Sequence, residues 1–310
     1  MKRLLLILSM KPNILVGGQA VIEGVMMRVP GAYSTAVRCP NGDIKIKRKE
    51  FFSITERSIL WSKPIFRGIA SLYEAMKMGM STLQWSADIS YPEESSEGIL
   101  SKIMDIMTTI FSITLAISLF MVLPMWLTTK LLSIEKEALW FNLFSGVFRI
   151  IFFVVYLFLI SKIKDIARLF QYHGAEHKTI AAYEKELSTK MIASEENINI
   201  IQKYRKEHPR CGTSFLMTVI LVSIIVHVFI PREPVALLYS SRLFLFPIIA
   251  ALSYEIIRFS SVYSNSMISK FISYPNLMMQ KLTTAEPDDD MVEVAISAIN
   301  ESIKLDEENN

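Results

Sequence analysis

Four apolar stretches, at about 103–128, 139–161, 213–230 and 242–259, constrain this chain more than any other feature. Each approaches the roughly twenty residues that an α-helix needs to cross about 30 Å of hydrocarbon. They predict four transmembrane helices with both chain ends on one side. Pro124 and Pro247 lie inside the first and last stretches and predict kinks there, which a bundle tolerates when neighbours satisfy the freed carbonyls. The chain is 51% hydrophobic but still 20% charged, so a wholly lipid-embedded protein is excluded along with an ordinary soluble one. The expected class is an α-helical polytopic membrane protein with a small N-terminal α+β cytoplasmic region.

Lysine and arginine set the orientation. They crowd the first hundred residues and the 162–212 loop, which holds Lys162, Lys164, Arg168, Lys178, Lys203, Arg205, Lys206 and Arg210. The other loops are poor: Lys130 and Lys136 face Glu135 and Glu137, and Arg232 faces Glu233. The bias predicts a multi-pass protein of the cell membrane with both termini and the central loop cytoplasmic. A net charge of +3, from 33 basic and 30 acidic residues, gives no case for specific nucleic-acid binding. The lipid bilayer is the expected partner, with a membrane-protein partner or a homo-oligomer beside it. Two cysteines, Cys39 and Cys211, without a CxxC, exclude a disulfide framework or a four-thiolate zinc site within one chain. The opening MKRLLLIL has too short an apolar run for a cleaved signal and reads as an amphipathic end near the membrane surface.

Five regions follow. Residues 1–101 form the N-terminal cytoplasmic region. Its GGQAVIEGVMMR segment, Gly17 to Arg28, reads as loop or strand. The Asn41-Gly42 pair predicts a β-hairpin over about 34–49, because it readily supplies the positive φ angles of a tight turn. Ile69, Leu72, Tyr73, Met76 and Met80 predict an amphipathic helix between Ile65 and Trp85, lying on the bilayer or on the soluble region, before a polar linker from Asp88 to Gly98. Residues 102–162 carry the first two spans, 163–212 the cytoplasmic loop, 213–260 the other two spans, and 261–310 a cytoplasmic helical tail. In that tail Asp288, Asp289 and Asp290 mark a helix start, and Val292, Ala295, Ile299 and Ile303 form one apolar stripe. A short docked helix followed by a frayed DEENN end is expected.

Candidate chemistry lies in the central loop. His173 and His177 are one helical turn apart, so their imidazoles can converge on one metal ion, and Glu184 lies two turns beyond His177 on the same face. His173 to His177 also matches H-x-x-E-H, the inverted zinc-protease order in which the glutamate, here Glu176, serves as general base. Solvated or capping histidines are the alternative. At the far end of the loop, His208, Arg210 and Cys211 return to the same membrane surface if the loop is a helical hairpin. Cys211 reads as a thiolate ligand favouring zinc, as a nucleophile beside Arg210, or as a small buried residue at a helix start. Glu255, near the cytoplasmic end of the last span, reads as an extra ligand or as a local partner of Arg258. Arg149 and His227 read as structural groups.

The segments GGQAVIEGVMMR, YHGAEHKTIAAYE, HPRCGTSF, SYEIIRF and LTTAEPDDDMVEVAI together resemble the YqhQ-like bacterial membrane proteins, a family of unknown function described as predicted metal-dependent enzymes. The resemblance runs from about Gly17 to Ile299. It points to Gln19, Glu23, Met26 and Arg28, to His173, Glu176, His177 and Glu184, and to His208, Arg210, Cys211 and Thr213. Glu23 or Arg28 is expected either to complete the histidine site or to close a packed loop.

The preferred expectation is a cytoplasm-facing divalent-metal site, with zinc or a similar ion held by His173 and His177 and completed by Glu184, His208 or Cys211. Hydrolysis is the natural reaction, with Glu176 as base and Arg210 or Arg28 stabilising developing negative charge. The competing expectation is a non-catalytic adaptor or structural protein that associates with another membrane or secretion complex. A transporter is disfavoured, because the spans lack paired acids and an inverted repeat.

Overall fold

The computed structural model describes residues 16–92, 99–134, 137–185, 194–208, 213–231, 233–263 and 266–309. The N-terminal run before Val16 and most of the expected 88–98 linker lie outside the described residues.

Four strands, β1 (Gly17–Val21), β2 (Gly24–Arg28), β3 (Ala32–Arg38) and β4 (Ile44–Glu50), form an antiparallel sheet in sequence order. The expected hairpin is β3–β4, in register from Ala32↔Glu50 to Arg38↔Ile44. Gly42 takes φ +92 at its turn, a conformation open to glycine at little cost. The GGQAVIEGVMMR segment is the β1–β2 hairpin, with the two-residue turn Ile22-Glu23.

After a one-turn helix, α1 (Ile54–Arg57), comes α2 (Phe66–Ser90), 25 residues long. Its buried face is small and polar, with Gly68, Ala70, Glu74, Gly79, Thr82 and Ser86 turned inward. The expected apolar face points outward, with Tyr73, Met76 and Met80 at least half exposed. Gly68 lets α2 cross closely over Ala251, while Met78 packs on Met26 and Tyr33 of the sheet.

The apolar part begins with α3 (Ile99–Ile117), which passes through a π-helical turn, Ser118–Val122, into α4 (Leu123–Leu131). The expected Pro124 kink takes this form. Proline cannot donate to the helix ladder, and one wider turn precedes it. Next are α5 (Ala138–Ile160), α6 (Lys164–Lys185), α7 (Glu195–Gln202), α8 (Thr213–Val228), α9 (Val235–Phe244), α10 (Phe246–Val262), α11 (Met267–Thr283) and α12 (Asp289–Asn309).

Four full spans are not what the helices provide. Among the described residues, the helices Ile103–Leu131 and Ala138–Ile160 are long and apolar enough to cross a membrane; α9 and α10, bent by 46°, would count as a third only if taken together. Pro247 in the first turn of α10 places the break there. The 16 residues of α8 reach about 24 Å at 1.5 Å per residue, short of the hydrocarbon thickness.

The main core joins three distant parts of the chain. Val25, Met27, Val29, Ala32 and Ala36 of the sheet region pack with Tyr172, Ala175 and Ile180 of α6 and with Val292, Ala295, Ile296 and Ile299 of α12. The C-terminal helix is therefore longer than expected and runs to Asn309 without a frayed DEEN segment, because its apolar stripe lies along the sheet. Ser34 Oγ also donates to Ala298 O.

Candidate metal site

Helix α6 presents the site. Its middle, Tyr172 through Ile180, is buried and packs against both the sheet and α12, so the helical spacing of His173 and His177 is held by its surroundings. The two imidazole centroids are 4.4 Å apart. One potential ligand atom each from His173, Glu176 and His177 lies within 4.8 Å of the others, and the three residues are 7%, 4% and 1% exposed. This His/Glu/His cluster could hold a metal ion.

The tautomers are constrained from outside α6. His173 Nδ1 lies 2.8 Å from Thr283 O at the end of α11, and His177 Nδ1 pairs with Lys206 O. A carbonyl oxygen only accepts, so each ring carries a proton on Nδ1, the arrangement in which a histidine ligates a metal through Nε2. Burial raises the Glu176 carboxyl from its ordinary 4.5 to about 7, against the opposing pull of His173.

His208 extends the cluster. Its ring centroid is 5.9 Å from that of His177, and its Nε2 is 3.6 Å from Glu184 Oε2. The Gln280 side chain of α11 clamps the His208 backbone at both ends, accepting from its N–H at 2.7 Å and donating to its carbonyl at 2.8 Å. Glu184, expected as a ligand beside the first two histidines, thus faces His208. Glu176, expected as the base, sits within the triad itself. Arg210 and Cys211 lie outside the described residues.

The first motif is distributed differently from the sharper expectation. Glu23, at the β1–β2 turn with φ +51, accepts from both prongs of Arg168 and from Tyr172 Oη at 3.3 Å. The Arg28 guanidinium lies 4.0 Å over the Phe51 ring. Gln19 abuts Gly79 of α2. None of the three belongs to the triad. Glu255 pairs with Arg67 of α2, Nε to Oε1 at 2.6 Å, and not with Arg258 as the local alternative held.

Reasoning from sequence missed Gly18, Gln280, Thr283 and the Lys206 carbonyl. Gly18 carried a signal, the Gly17-Gly18 doublet, but its role is to let β1 approach Glu176 closely.

A family model described as "Protein of unknown function (DUF1385)" matches residues 63–305. The chain belongs to this family. Within the same match lie the whole triad, His208, Gln280 and α12 as far as Leu305. The uncharacterized protein YqhQ of Bacillus subtilis (strain 168) is 31% identical over 309 residues, covering 94% of this chain and 92% of that protein. No solved structure matches.

Proposed function

We propose that this chain is a multi-pass membrane protein whose extramembrane domain faces the cytoplasm and holds a divalent metal ion, zinc by preference, through His173, His177 and Glu176. One observation carries the reading: two buried imidazoles, each with Nδ1 committed to a backbone carbonyl, flank a buried carboxyl. Two nitrogens and a carboxylate oxygen suit zinc or a similar borderline ion. An ion bound there would supply Lewis acidity. Hydrolysis is the reaction class this donor set serves best. Arg210 is assigned the stabilisation of negative charge on the substrate.

The shared core supports the topology. The N-terminal sheet, the α6 segment of the central loop and the C-terminal α12 meet in one domain, so the chain crosses the membrane an even number of times between any two of them. That favours α8 and the bent α9–α10 pair crossing as two further spans, with local thinning or tilt accommodating the short α8.

Burial favours a second, non-catalytic reading. Two cavities of about 320 and 340 Å³ are lined by none of the triad, and a closed site suits a structural ion that locks α6 to β1 and α11 in an adaptor.

Metal analysis of the detergent-purified chain should find roughly one divalent ion per chain, lost in the His173→Ala, His177→Ala double variant. No bound metal in the wild type removes both readings of the site. If metal persists in Glu176→Gln and that variant still complements a deletion strain, the structural reading stands and hydrolysis falls.

A further inference from the structure

Two arginines lie in apolar helical stretches that hold no acid. Residues 106–134, 138–160, 213–231 and 235–254 hold no aspartate or glutamate, yet Arg149 and Arg242 lie within them. Arg149 is the central residue of α5, eleven positions from either end. Its Nε donates to Phe120 O at 2.9 Å, inside the π-helical turn, and its Nη1 donates to Ser223 Oγ of α8 at 3.2 Å. Arg242, in the last turn of α9 beside the 46° break, donates to Asn142 Oδ1 at 2.9 Å and contacts Met125 Sδ. His227, 4% exposed, brings Nδ1 to 3.2 Å from the same Ser223 hydroxyl and lies against the backbone at Ser241. The three cationic or basic side chains are within electrostatic reach of one another.

A guanidinium offers five donors. The hydrogen bonds described for each go only to neutral acceptors, and among the described residues neither forms an ion pair. Charge in an apolar bundle is retained at substantial cost, and where it occurs it faces a partner or a polar path. Two like charges placed together raise that cost further. The two irregularities of the bundle, the π-helical turn and the α9–α10 break, both fall at these arginines, and such irregularities recur at functional sites in membrane helices.

We propose that Arg149 and Arg242, with Ser223 and His227, form a binding site for a phosphate-class oxyanion within the apolar bundle. The planar forks of the two guanidiniums suit the oxygens of a phosphate, and the Ser223 hydroxyl, already bridging Arg149 and His227, adds a neutral donor. The oxyanion is either free or the headgroup of an anionic phospholipid. The site is independent of the metal centre.

The test uses the full chain, delipidated in a maltoside detergent that carries no phosphate, titrated separately with inorganic phosphate and with short-chain phosphatidylglycerol while the thermal midpoint is followed. A saturable rise with phosphate assigns a free anion, and a rise with phosphatidylglycerol alone assigns a headgroup. Either rise must disappear in the Arg149→Gln, Arg242→Gln double variant. Should that variant fail to fold, Arg149→Lys and Arg242→Lys, which keep the charge but lose the fork, must each weaken the apparent affinity by about tenfold. Absence of a wild-type response to both ligands, or a response unchanged in the variants, overturns the site.

Discussion

Gly18 of β1 lies directly against Glu176 of α6. A Cβ at Gly18 would stand 2.8 Å from Glu176 Cγ, 2.8 Å from its Oε1 and 2.8 Å from the Met26 carbonyl oxygen. The glutamate could swing aside, but the Met26 backbone is fixed in the β1–β2 ladder. Gly18→Ala should therefore displace the carboxyl from the triad, costing about 1–3 kcal/mol of stability and lowering metal content. Gly17→Ala is the control, since nothing lies within 4 Å of its added methyl. Equal metal content in the two variants would refute the close approach as the site's organising contact.

Stability of the metal-free protein should depend on pH through Glu176. Its carboxyl titrates near 4.5 unfolded and about 7 folded, so between these values the folded state holds a proton that the unfolded state has lost. Stability is then greatest below about 4.5, falls as pH rises toward about 7, and levels above it. With chelator present, the thermal midpoint of wild type should show this fall, and Glu176→Gln should lack that part of it. Parallel profiles would disprove the assignment.

Arg67 and Glu255 tie α2 to α10 through a two-pronged pair, the arginine side chain only 8% exposed and the glutamate 20%. Arg67→Ala should cost about 3–5 kcal/mol by leaving a carboxylate buried alone, whereas Arg67→Met with Glu255→Met should recover most of that loss. A double-mutant cycle in denaturant checks it. Additive losses would mean that the pair is not coupled.

Gly174, in the buried middle of α6, approaches the connection between α11 and α12. A methyl there would lie 2.0 Å from Ala285 O, on the segment whose Thr283 carbonyl orients His173. Gly174→Ala should lower the midpoint more than Gly18→Ala does, because the clash with the Ala285 backbone oxygen is much closer, 2.0 Å against 2.8 Å. Differential scanning fluorimetry of the two variants decides the order.

Features written in spacing were legible in the sequence. The Asn41-Gly42 turn, the one-turn separation of His173 and His177, and the stripe of α12 each follow from local geometry, and each element is found. What required the third dimension was not legible. The expected helical tail covered α11 but not its approach to the histidines, where Thr283 and Gln280 contribute one backbone carbonyl and one carboxamide. The hydropathy of α2 marked two faces and left open which surface the apolar one meets. Its small polar face packs inward because Gly68 and Gly79 permit close crossing, leaving Met76 and Met80 outside. Glu255 has Arg258 one turn away in sequence, yet the helix crossing at Gly68 and Ala251 delivers Arg67 instead.

The pairing of residues 17–50 with 289–309 also orders events in time. Until α12 leaves the ribosome, the sheet lacks the side chains from Met291 to Ile299 that fill its core, although every apolar helix has by then been synthesised. The histidine-bearing helix is thus enclosed last, and until α12 arrives the apolar face of the sheet stays open.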